Sequence, residues 1–278
     1  MTIKEAIQQA TEVLAQAEIS GARTDTELIL AHVLQQDRAW LLAHEYDSLT
    51  QEQLRLTTSL VQKRAQRQPL SYVLGTREFA SLDFKIDARV LTPRVETETV
   101  VDQVIKRAPR AARTLDVGTG SGAMAIALKY HRPDIIVTAS EISKDALELA
   151  RENAQRLLGK NYEITFIESD LLESVEDVFD IIVANLPYVT RSMDLLPEVQ
   201  AEPDVALFGG ADDGLDLYRK FFDQLPGHAH DQTQLWIESD PWQQPALITL
   251  AQTVDMKPIF QDYFILGLQR ATKTNSPD

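Results

Sequence analysis

The chain of 278 residues is 44% apolar and 25% charged, carries a formal net charge of −15 at pH 7 and contains no cysteine. This composition is ordinary for a globular protein, and the lack of cysteine excludes disulfides, thiolate catalysis and thiolate metal sites. Duplex nucleic acid is held by basic surfaces, so the acidic balance disfavours a nucleic-acid substrate despite a small basic group at Lys63, Arg64, Arg67 and Arg77.

The first residues predict neither a secretion signal nor a membrane anchor. Residues 1–10 form a polar helical pattern without an apolar core. No apolar run in the chain approaches the roughly 18 residues that span a bilayer. We therefore expect a cytoplasmic protein.

The N-terminal part of the chain reads as helical. Apolar residues recur at helical spacing through residues 3–67, with no strand pattern between them. Thr24 or Asp25, and later Thr50, are expected to cap helices because their side-chain oxygens can accept from free backbone N–H groups. Residues 79–91 then alternate apolar and polar side chains, which predicts a β-hairpin.

From residue 114 onward, short apolar runs alternate with amphipathic stretches. This alternation predicts a Rossmann-like α/β fold in which helices cover both faces of a parallel sheet. Two final runs at 259–261 and 263–268 are too close for a helical crossover, so they should pair antiparallel at the sheet edge. The polar tail at 272–278 is expected to be disordered. The other predicted strands lie at 114–117, 135–139, 164–167, 179–184 and 235–238, and the predicted helices at 123–130, 144–158 and 214–224.

These patterns divide the chain into three parts. We predict an all-helical domain at 1–70, a connector with a β-hairpin at 71–95 and a catalytic domain at 96–278. The separate helical composition of the first part motivates the hypothesis that it recognises a protein substrate.

A glycine-rich loop at residues 118–122 joins the first predicted strand to its helix. Its glycines let the backbone turn sharply and approach a ligand, and Glu141 is placed after the second strand to accept hydrogen bonds from a ribose diol. Both features occur in dinucleotide and S-adenosylmethionine binders. Asp116 would repel a pyrophosphate but could help hold a methionine ammonium, directly or through water, which favours S-adenosylmethionine over NAD. The structural alternative is a tight turn beside a solvated acid.

The strand at 179–184 ends in Asn185, Leu186, Pro187 and Tyr188, at the sheet edge where ligands bind. The Asn185 oxygen and the Leu186 carbonyl can each accept one hydrogen of an NH₂ group. They would thereby aim the lone pair of a poor nucleophile, an amide or an aromatic amine, at a methyl donor. Pro187 stiffens the turn, and Tyr188 offers a flat face for stacking. A surface turn is the structural alternative.

Asp170, after the third strand, could bond the adenine amino group or act only as a helix N-terminal acid.

Over nearly its whole length the chain resembles the release-factor glutamine methyltransferases, called PrmC or HemK. The resemblance implies a class I S-adenosylmethionine-dependent methyltransferase sheet with a helical N-terminal domain. It also implies that residues 118–122, Glu141, Leu171 and Asn185 contact the methyl donor and that residues 185–188 hold the substrate glutamine. The motifs that carry it lie at 25–30, 64–75, 78–79, 90–98, 202–207, 209–210 and 213–219.

Taken together, the candidate catalytic residues are Asn185, Leu186, Pro187 and Tyr188, and the candidate cofactor-binding residues are Asp116, Gly118, Thr119, Gly120, Ser121, Gly122, Glu141, Asp170, Leu171 and Asn185.

The chain departs from the family pattern at several positions. Leu186 replaces the first proline of Asn-Pro-Pro-Tyr, which gives a form also typical of ribosomal RNA adenine dimethylases. Glu141 stands where the family more often has Asp, and Leu171 where an aromatic residue can flank adenine. The Pro-Arg motif has Thr92 and Val95 in place of the usual Ile and Pro. The departures at Glu141 and Leu171 bear on donor affinity and not on the type of reaction, and the Leu186 carbonyl keeps the chemistry. No functional consequence is expected from Thr92 and Val95.

The implied substrate is the glutamine of the Gly-Gly-Gln loop in peptide-chain release factors, which would become N5-methylglutamine. Three alternatives stay open. The chain could methylate a ribosomal-protein glutamine, it could be an adenine-N6 methyltransferase acting on RNA or DNA, or it could be a non-catalytic cofactor-binding module.

Overall fold

The computed structural model of the protein describes residues 1–160, 162–210 and 212–271. The chain forms two compact units. The helical unit comprises Met1–Thr76 and Leu195–Ala201, and the sheet unit comprises Arg77–Asp194 and the chain from Glu202 onward. Among the described residues, no helix has the length and apolar character needed to cross a membrane. The tail at 272–278, expected to be disordered, lies outside the described residues.

The helices predicted at 123–130, 144–158 and 214–224 each agree within two residues with an observed helix. Two 3₁₀ turns, Leu225–Gly227 and Pro241–Gln243, follow in the C-terminal part. The α-helices are α1 Ile3–Gln16, α2 Ala22–Leu34, α3 Arg38–Ala43, α4 Gln51–Ala65, α5 Leu70–Leu74, α6 Glu98–Arg107, α7 Ala123–His131, α8 Lys144–Leu158, α9 Pro197–Gln200, α10 Asp204–Leu207, α11 Asp216–Gln224 and α12 Gln244–Gln252.

In the helical unit, one predicted cap is confirmed and one is wrong. The Thr50 side chain accepts from Gln53 N, and the Gln53 side chain accepts from Thr50 N in return. Helix α2 instead begins at Ala22, before the predicted Thr24 or Asp25, with Gly21 as its cap residue. The Asp25 carboxylate is used elsewhere, because it accepts from Arg64 Nε at 2.7 Å.

A short part of the distant chain also belongs to the helical unit. Glu198 in α9 forms ion pairs with Arg64 Nη1 and Arg67 Nη2, both at 2.9 Å. The division of the chain at residues 70 and 95 stays a prediction. In the structure the helical unit continues to Thr76, and the hairpin from Arg77 onward belongs to the sheet unit.

The sheet unit contains a seven-stranded sheet with the order β5-β4-β3-β6-β7-β9-β8. Strands β3 to β7 are parallel, and β9 runs antiparallel to both β7 and β8. The predicted α/β sheet and its antiparallel C-terminal pair are therefore confirmed. The strands are β1 Thr76–Phe79, β2 Leu82–Lys85, β3 Arg113–Val117, β4 Ile136–Glu141, β5 Ile164–Glu168, β6 Phe179–Ala184, β7 Ala229–Glu238, β8 Met256–Gln261 and β9 Ile265–Arg270.

The hairpin is real but earlier than predicted. Strands β1 and β2 form it, and Ala80 and Ser81 make the turn with φ of 49° and 63°. A two-residue turn with both φ values positive matches the right-handed twist of a hairpin, and it usually contains Gly, Asn or Asp. Ala80 and Ser81 do not give this sequence signal. The predicted start of the hairpin at residue 79 is wrong, because the first strand, β1, already ends at that residue.

The strand order reverses between β3 and β6. From β3 the chain proceeds outward through β4 and β5, and it returns to build β6 and β7 on the other side. At such a reversal the connections leave in opposite directions, which opens a crevice at the carboxyl ends of the two central strands. The two strands themselves are anchored in the core, where Leu115, Val117 and Ile182 are fully buried.

Helix α8 is joined to the hairpin and to the glycine-rich loop by the buried side-chain amide of Asn153. The Asn153 Oδ1 accepts from Lys85 N at 2.8 Å, and its Nδ2 donates to the carbonyls of Lys85 and Ser121, each at 3.0 Å. Asn153 is fully buried, so all three bonds are shielded from water.

Replacing this residue should destabilise the fold. Asn153→Ala leaves three backbone groups without their partner, and we expect the free energy of unfolding to fall by about 2 to 4 kcal/mol. Gln155→Ala, at an exposed position of the same helix, is the matched control and should change it by less than about 0.5 kcal/mol. Urea unfolding measures the free energy of unfolding of both variants. Equal losses in the two would show that the Asn153 hydrogen bonds do not stabilise the fold.

Candidate active site

A cavity opens at the reversal point of the sheet, and the sheet unit alone lines it. All but three of the predicted site residues lie in its wall. The exceptions are Asp116, Gly122 and Tyr188. The predicted residues that line the cavity are Gly118, Thr119, Gly120, Ser121, Glu141, Asp170, Leu171, Asn185, Leu186 and Pro187.

The glycine-rich loop turns sharply between β3 and α7. Gly118 N and Thr119 N both donate to Ser140 O, at 2.8 and 3.0 Å, which fastens the loop to the end of β4. At Gly120, where φ is 54°, an added Cβ would meet no protein atom within 4 Å. The backbone there borders open cavity, as a loop that receives a ligand requires.

Gly122 has a packing role. A Cβ at this residue would lie 2.8 Å from Ile126 Cδ1 and 3.2 Å from Ala150 Cβ. The residue therefore lets the loop pass close to helix α8, and it does not line the cavity.

Glu141 lines the cavity from the end of β4. Its Oε2 accepts from Gly120 N at 2.9 Å and its Oε1 from Ser143 N at 3.0 Å. Each carboxylate oxygen has a second lone pair, so both can still accept a hydroxyl hydrogen. Two adjacent acceptors held in a fixed plane suit the vicinal diol that the sequence predicts for this position.

Asp116 lies beneath the loop and not in the cavity wall. It is fully buried, and its Oδ2 accepts from Thr119 Oγ1 at 2.6 Å and from Ala125 N at 3.0 Å. Through Oδ2 the carboxyl group joins the loop to the first turn of α7. Its Oδ1 has no hydrogen-bond partner among the described residues. The role in helping to hold a methionine ammonium, directly or through water, stays a prediction.

Asp170 and Leu171 form the wall after β5. Asp170 Oδ2 accepts from Lys220 Nζ at 2.6 Å, which fixes the carboxylate. Leu171 is buried with a φ of 56°, a left-handed conformation that is uncommon for a leucine. Its side chain supplies apolar surface on that side of the cavity.

The Asn185 to Tyr188 turn follows β6 as predicted. The Asn185 Nδ2 donates to Thr97 Oγ1 at 3.1 Å, and the Thr97 hydroxyl donates to Glu238 Oε2 at 2.6 Å. The Tyr188 hydroxyl donates to Glu238 Oε1 at 3.2 Å. Tyr188 is half-buried outside the cavity lining, so the predicted stacking face is not part of that wall.

The backbone of this turn is supported from behind. Gln243 Nε2 donates to Tyr188 O at 2.9 Å and to Asp213 O at 2.7 Å. A Cβ at Gly214 would lie 2.2 Å from Tyr188 O, so only glycine permits this approach. These contacts give a structural reason for the motif at 213–219.

Sequence reasoning missed one side of the cavity. The connector and the Pro-Arg motif line it, together with α10 and α11 residues. The motif at 90–98 is one of those that carry the family resemblance. That resemblance is the signal that could have assigned these residues to the site. The missed lining residues include Phe79, Arg89, Val90, Leu91, Pro93, Arg94, Thr97, Val205, Ala206 and Leu217.

Comparisons with known proteins agree with this geometry. A model described as the PrmC N-terminal domain matches residues 5–75, and one described as the Methyltransferase small domain matches residues 95–200. The release factor glutamine methyltransferase of Geobacter sulfurreducens is 39% identical over 241 residues, which cover 85% of this chain and 84% of the relative. The chain belongs to the release factor glutamine methyltransferase family. The family relative from Deinococcus radiodurans is 34% identical over 257 residues, 91% of each chain.

The sheet unit also matches a solved methyltransferase. A crystal structure of a methyltransferase from Pyrococcus furiosus superposes with a TM-score of 0.53 at 17% identity, covering 69% of this chain and 90% of that chain. This likeness concerns the fold alone. The predicted methyltransferase sheet and the predicted membership of the release factor glutamine methyltransferase family are confirmed.

The buried carboxyl of this family member should make stability depend on pH. Burial raises the pKa of Asp116 to about 7, whereas an unfolded aspartate titrates near ~3.9. Between these values only the folded state keeps the proton. The stability gained by protonation is therefore complete at acidic pH and is lost as the pH rises through about 7.

Asp116→Asn keeps an acceptor oxygen for Thr119 and Ala125 but cannot ionise. We expect the Tm of the variant minus that of the wild type to increase by a few degrees between about pH 5 and about pH 8. Calorimetry of the unliganded protein measures this difference. A difference that stays constant with pH would contradict the assignment.

Proposed function

We propose that this chain transfers the methyl group of S-adenosylmethionine to the side-chain amide nitrogen of the glutamine in the Gly-Gly-Gln motif of peptide-chain release factors. One observation carries the proposal. Asn185 and Leu186, which carry the two proposed acceptor oxygens, line the same cavity as the glycine-rich loop. The names of the relatives, release factor glutamine methyltransferase, support the substrate.

The cavity residues fit the methyl donor. Open backbone at Gly120 leaves room for a ligand against the loop, and the paired oxygens of Glu141 suit a ribose diol. Leu171 and the exposed Ile142 provide apolar surface for a purine, and Asp170 lies in the same wall. The sulfonium would supply an electrophilic methyl group.

The protein has to improve a weak nucleophile, because an amide nitrogen shares its lone pair with the carbonyl. Asn185 Oδ1 and Leu186 O would each accept one amide hydrogen and direct the lone pair towards the methyl group. As the nitrogen–carbon bond forms and the sulfur–carbon bond breaks, positive charge grows on the nitrogen, and both acceptors stabilise it. The surplus proton leaves to water after transfer, so a general base is not required.

The central test is a methylation assay with purified release factors and mass mapping of the product. Wild-type protein should place one methyl group on the Gly-Gly-Gln glutamine. Asn185→Ala should lower kcat at least about a hundredfold, because one of the two acceptors is lost. Donor affinity, measured by calorimetry, should change much less, because the glycine-rich loop is intact.

Two results would overturn the proposal. Methyl groups found on RNA or DNA, with the release factor unlabelled, would establish the adenine-N6 alternative suggested by Leu186. Labelling of a ribosomal protein in preference to release factors would keep the chemistry and replace the substrate.

We further propose that the helical unit binds a part of the release factor other than the reacting glutamine. Two large apolar side chains four residues apart are exposed there, Leu42 at 64% and Tyr46 at 72%. The Lys4 ammonium lies 5.0 Å from the centre of the Tyr46 ring, which holds that ring in place. Exposed aromatic and aliphatic side chains commonly anchor protein partners.

The double substitution Leu42→Ser with Tyr46→Ala should therefore raise KM for the whole release factor by about tenfold or more, with little change in kcat. KM for a short Gly-Gly-Gln peptide should not change, because the peptide lacks the parts of the factor that the helical unit is proposed to bind. Tyr263→Ala, an exposed tyrosine of the sheet unit, is the matched control. Equal KM values for variant and wild type on the whole factor would contradict the role.

A further inference from the structure

Glu238 ends strand β7 beside the catalytic turn, and neither the motifs nor the predicted site include it. In the sheet, Ala184 pairs with Ile237, so the next residues along, Asn185 and Glu238, leave neighbouring strands together. The Glu238 side chain is 2% exposed. A buried acid at this position needs hydrogen-bond donors, and its donors come from the residues around the turn.

We propose that Glu238 and Thr97 are positioning residues that fix which end of the Asn185 amide faces the substrate. This inference rests on the proposed glutamine methylation. It concerns the direction of each hydrogen bond in the chain from Glu238 through Thr97 to Asn185.

The direction follows from the donors and acceptors available. A carboxylate can only accept, so the Thr97 hydroxyl spends its one hydrogen on Glu238 Oε2 at 2.6 Å. Thr97 Oγ1 then has only lone pairs to offer Asn185, which must present Nδ2 to it at 3.1 Å. The opposite end of the amide, Oδ1, is thereby left for the substrate.

The same residue also holds the rest of the turn. Glu238 Oε1 accepts from the Tyr188 hydroxyl at 3.2 Å, and burial raises the pKa of Tyr188, so that hydroxyl keeps its hydrogen. The Glu238 carbonyl accepts from the Tyr218 hydroxyl at 2.5 Å, which itself accepts from Leu186 N at 3.4 Å. Side chain and main chain of Glu238 thus reach Asn185, Leu186 and Tyr188.

Protonation of Glu238 would reverse part of this chain. One carboxyl oxygen would become a donor, and Thr97 or Tyr188 would have to accept from it. If Thr97 accepts, its hydrogen turns to Asn185, and the amide rotates to present NH₂ to a substrate that also offers NH₂. Burial and the nearby Glu96 charge raise the pKa of Glu238, and Tyr188, Tyr218 and Asp240 complete the titratable surroundings of the network.

The matched pair Thr97→Val and Thr97→Ser tests the inference in the full chain. Thr97→Val keeps the shape and removes the hydroxyl, and it should lower kcat by about tenfold to a hundredfold with donor affinity within about threefold of wild type. Thr97→Ser keeps the hydroxyl and should restore most of the rate. Thr99→Val, at a half-buried threonine two residues further along in α6 and outside the network, is the control for the same change of side chain.

Glu238→Gln supplies a readout that a purely structural role would not give. The kcat of wild type should fall as the pH falls through the Glu238 pKa. In Glu238→Gln this decrease should be absent. The kcat of the variant should stay, at every pH, near the value that wild type has at low pH. Asp116 titrates in both proteins, so only the difference between the profiles reports Glu238.

The outcomes are separable. Wild type that fails to methylate the glutamine refutes the proposed function itself. If wild type is active, three results would each refute the positioning roles alone. Thr97→Val could be fully active, or Thr97→Ser could be as impaired as Thr97→Val. The decrease of kcat at low pH could also be the same in Glu238→Gln as in wild type.

Discussion

The architecture of the site depends on one buried carboxylate at the end of a strand. Glu238 accepts hydrogen bonds from Thr97 and Tyr188, side chains that stand 141 and 50 residues away in the chain. Burying an acid is costly unless its oxygens are satisfied, so the arrangement is stable only when the motif before α6 and the turn after β6 are both in place. The two hydrogen bonds therefore link the position of the Asn185 to Tyr188 turn to that of the motif before α6.

The strand order explains why these distant residues meet. The reversal between β3 and β6 opens a crevice at the carboxyl ends of the strands. The loop after β3, Glu141 after β4, the turn after β6 and Glu238 after β7 all leave the sheet at that edge. Each of these strands positions one part of the proposed site. The hydrophobic core beneath the sheet edge sets the spacing between these parts.

Local patterns were sufficient to predict the sheet, the glycine-rich loop and Asn185, because strand periodicity and the strand-end rule need only nearby residues. Glu238 also lies at a strand end, but the local sequence gives no sign that it is buried. Its hydrogen-bond donors, the Thr97 and Tyr188 hydroxyls, are distant in the chain. The position of Asp116 beneath the loop could not be predicted, because its donors, Thr119 and Ala125, come together only in the folded loop and helix. The inclusion of residues 195–201 in the helical unit depends on the Arg64–Glu198 pair, which no local pattern reveals.

Leu186, the departure from the family tetrapeptide, couples the two halves of the site. Its side chain is 2% exposed and belongs to the core cluster that also contains Val117 and Leu215. Its Cδ2 would lie 3.2 Å from a Cβ added at Gly118. The glycine-rich loop thus lies close to the leucine whose carbonyl is the proposed acceptor. Because little space separates the two, a displacement of the loop would press on the leucine, and the packing helps to set the spacing between the two halves of the proposed site.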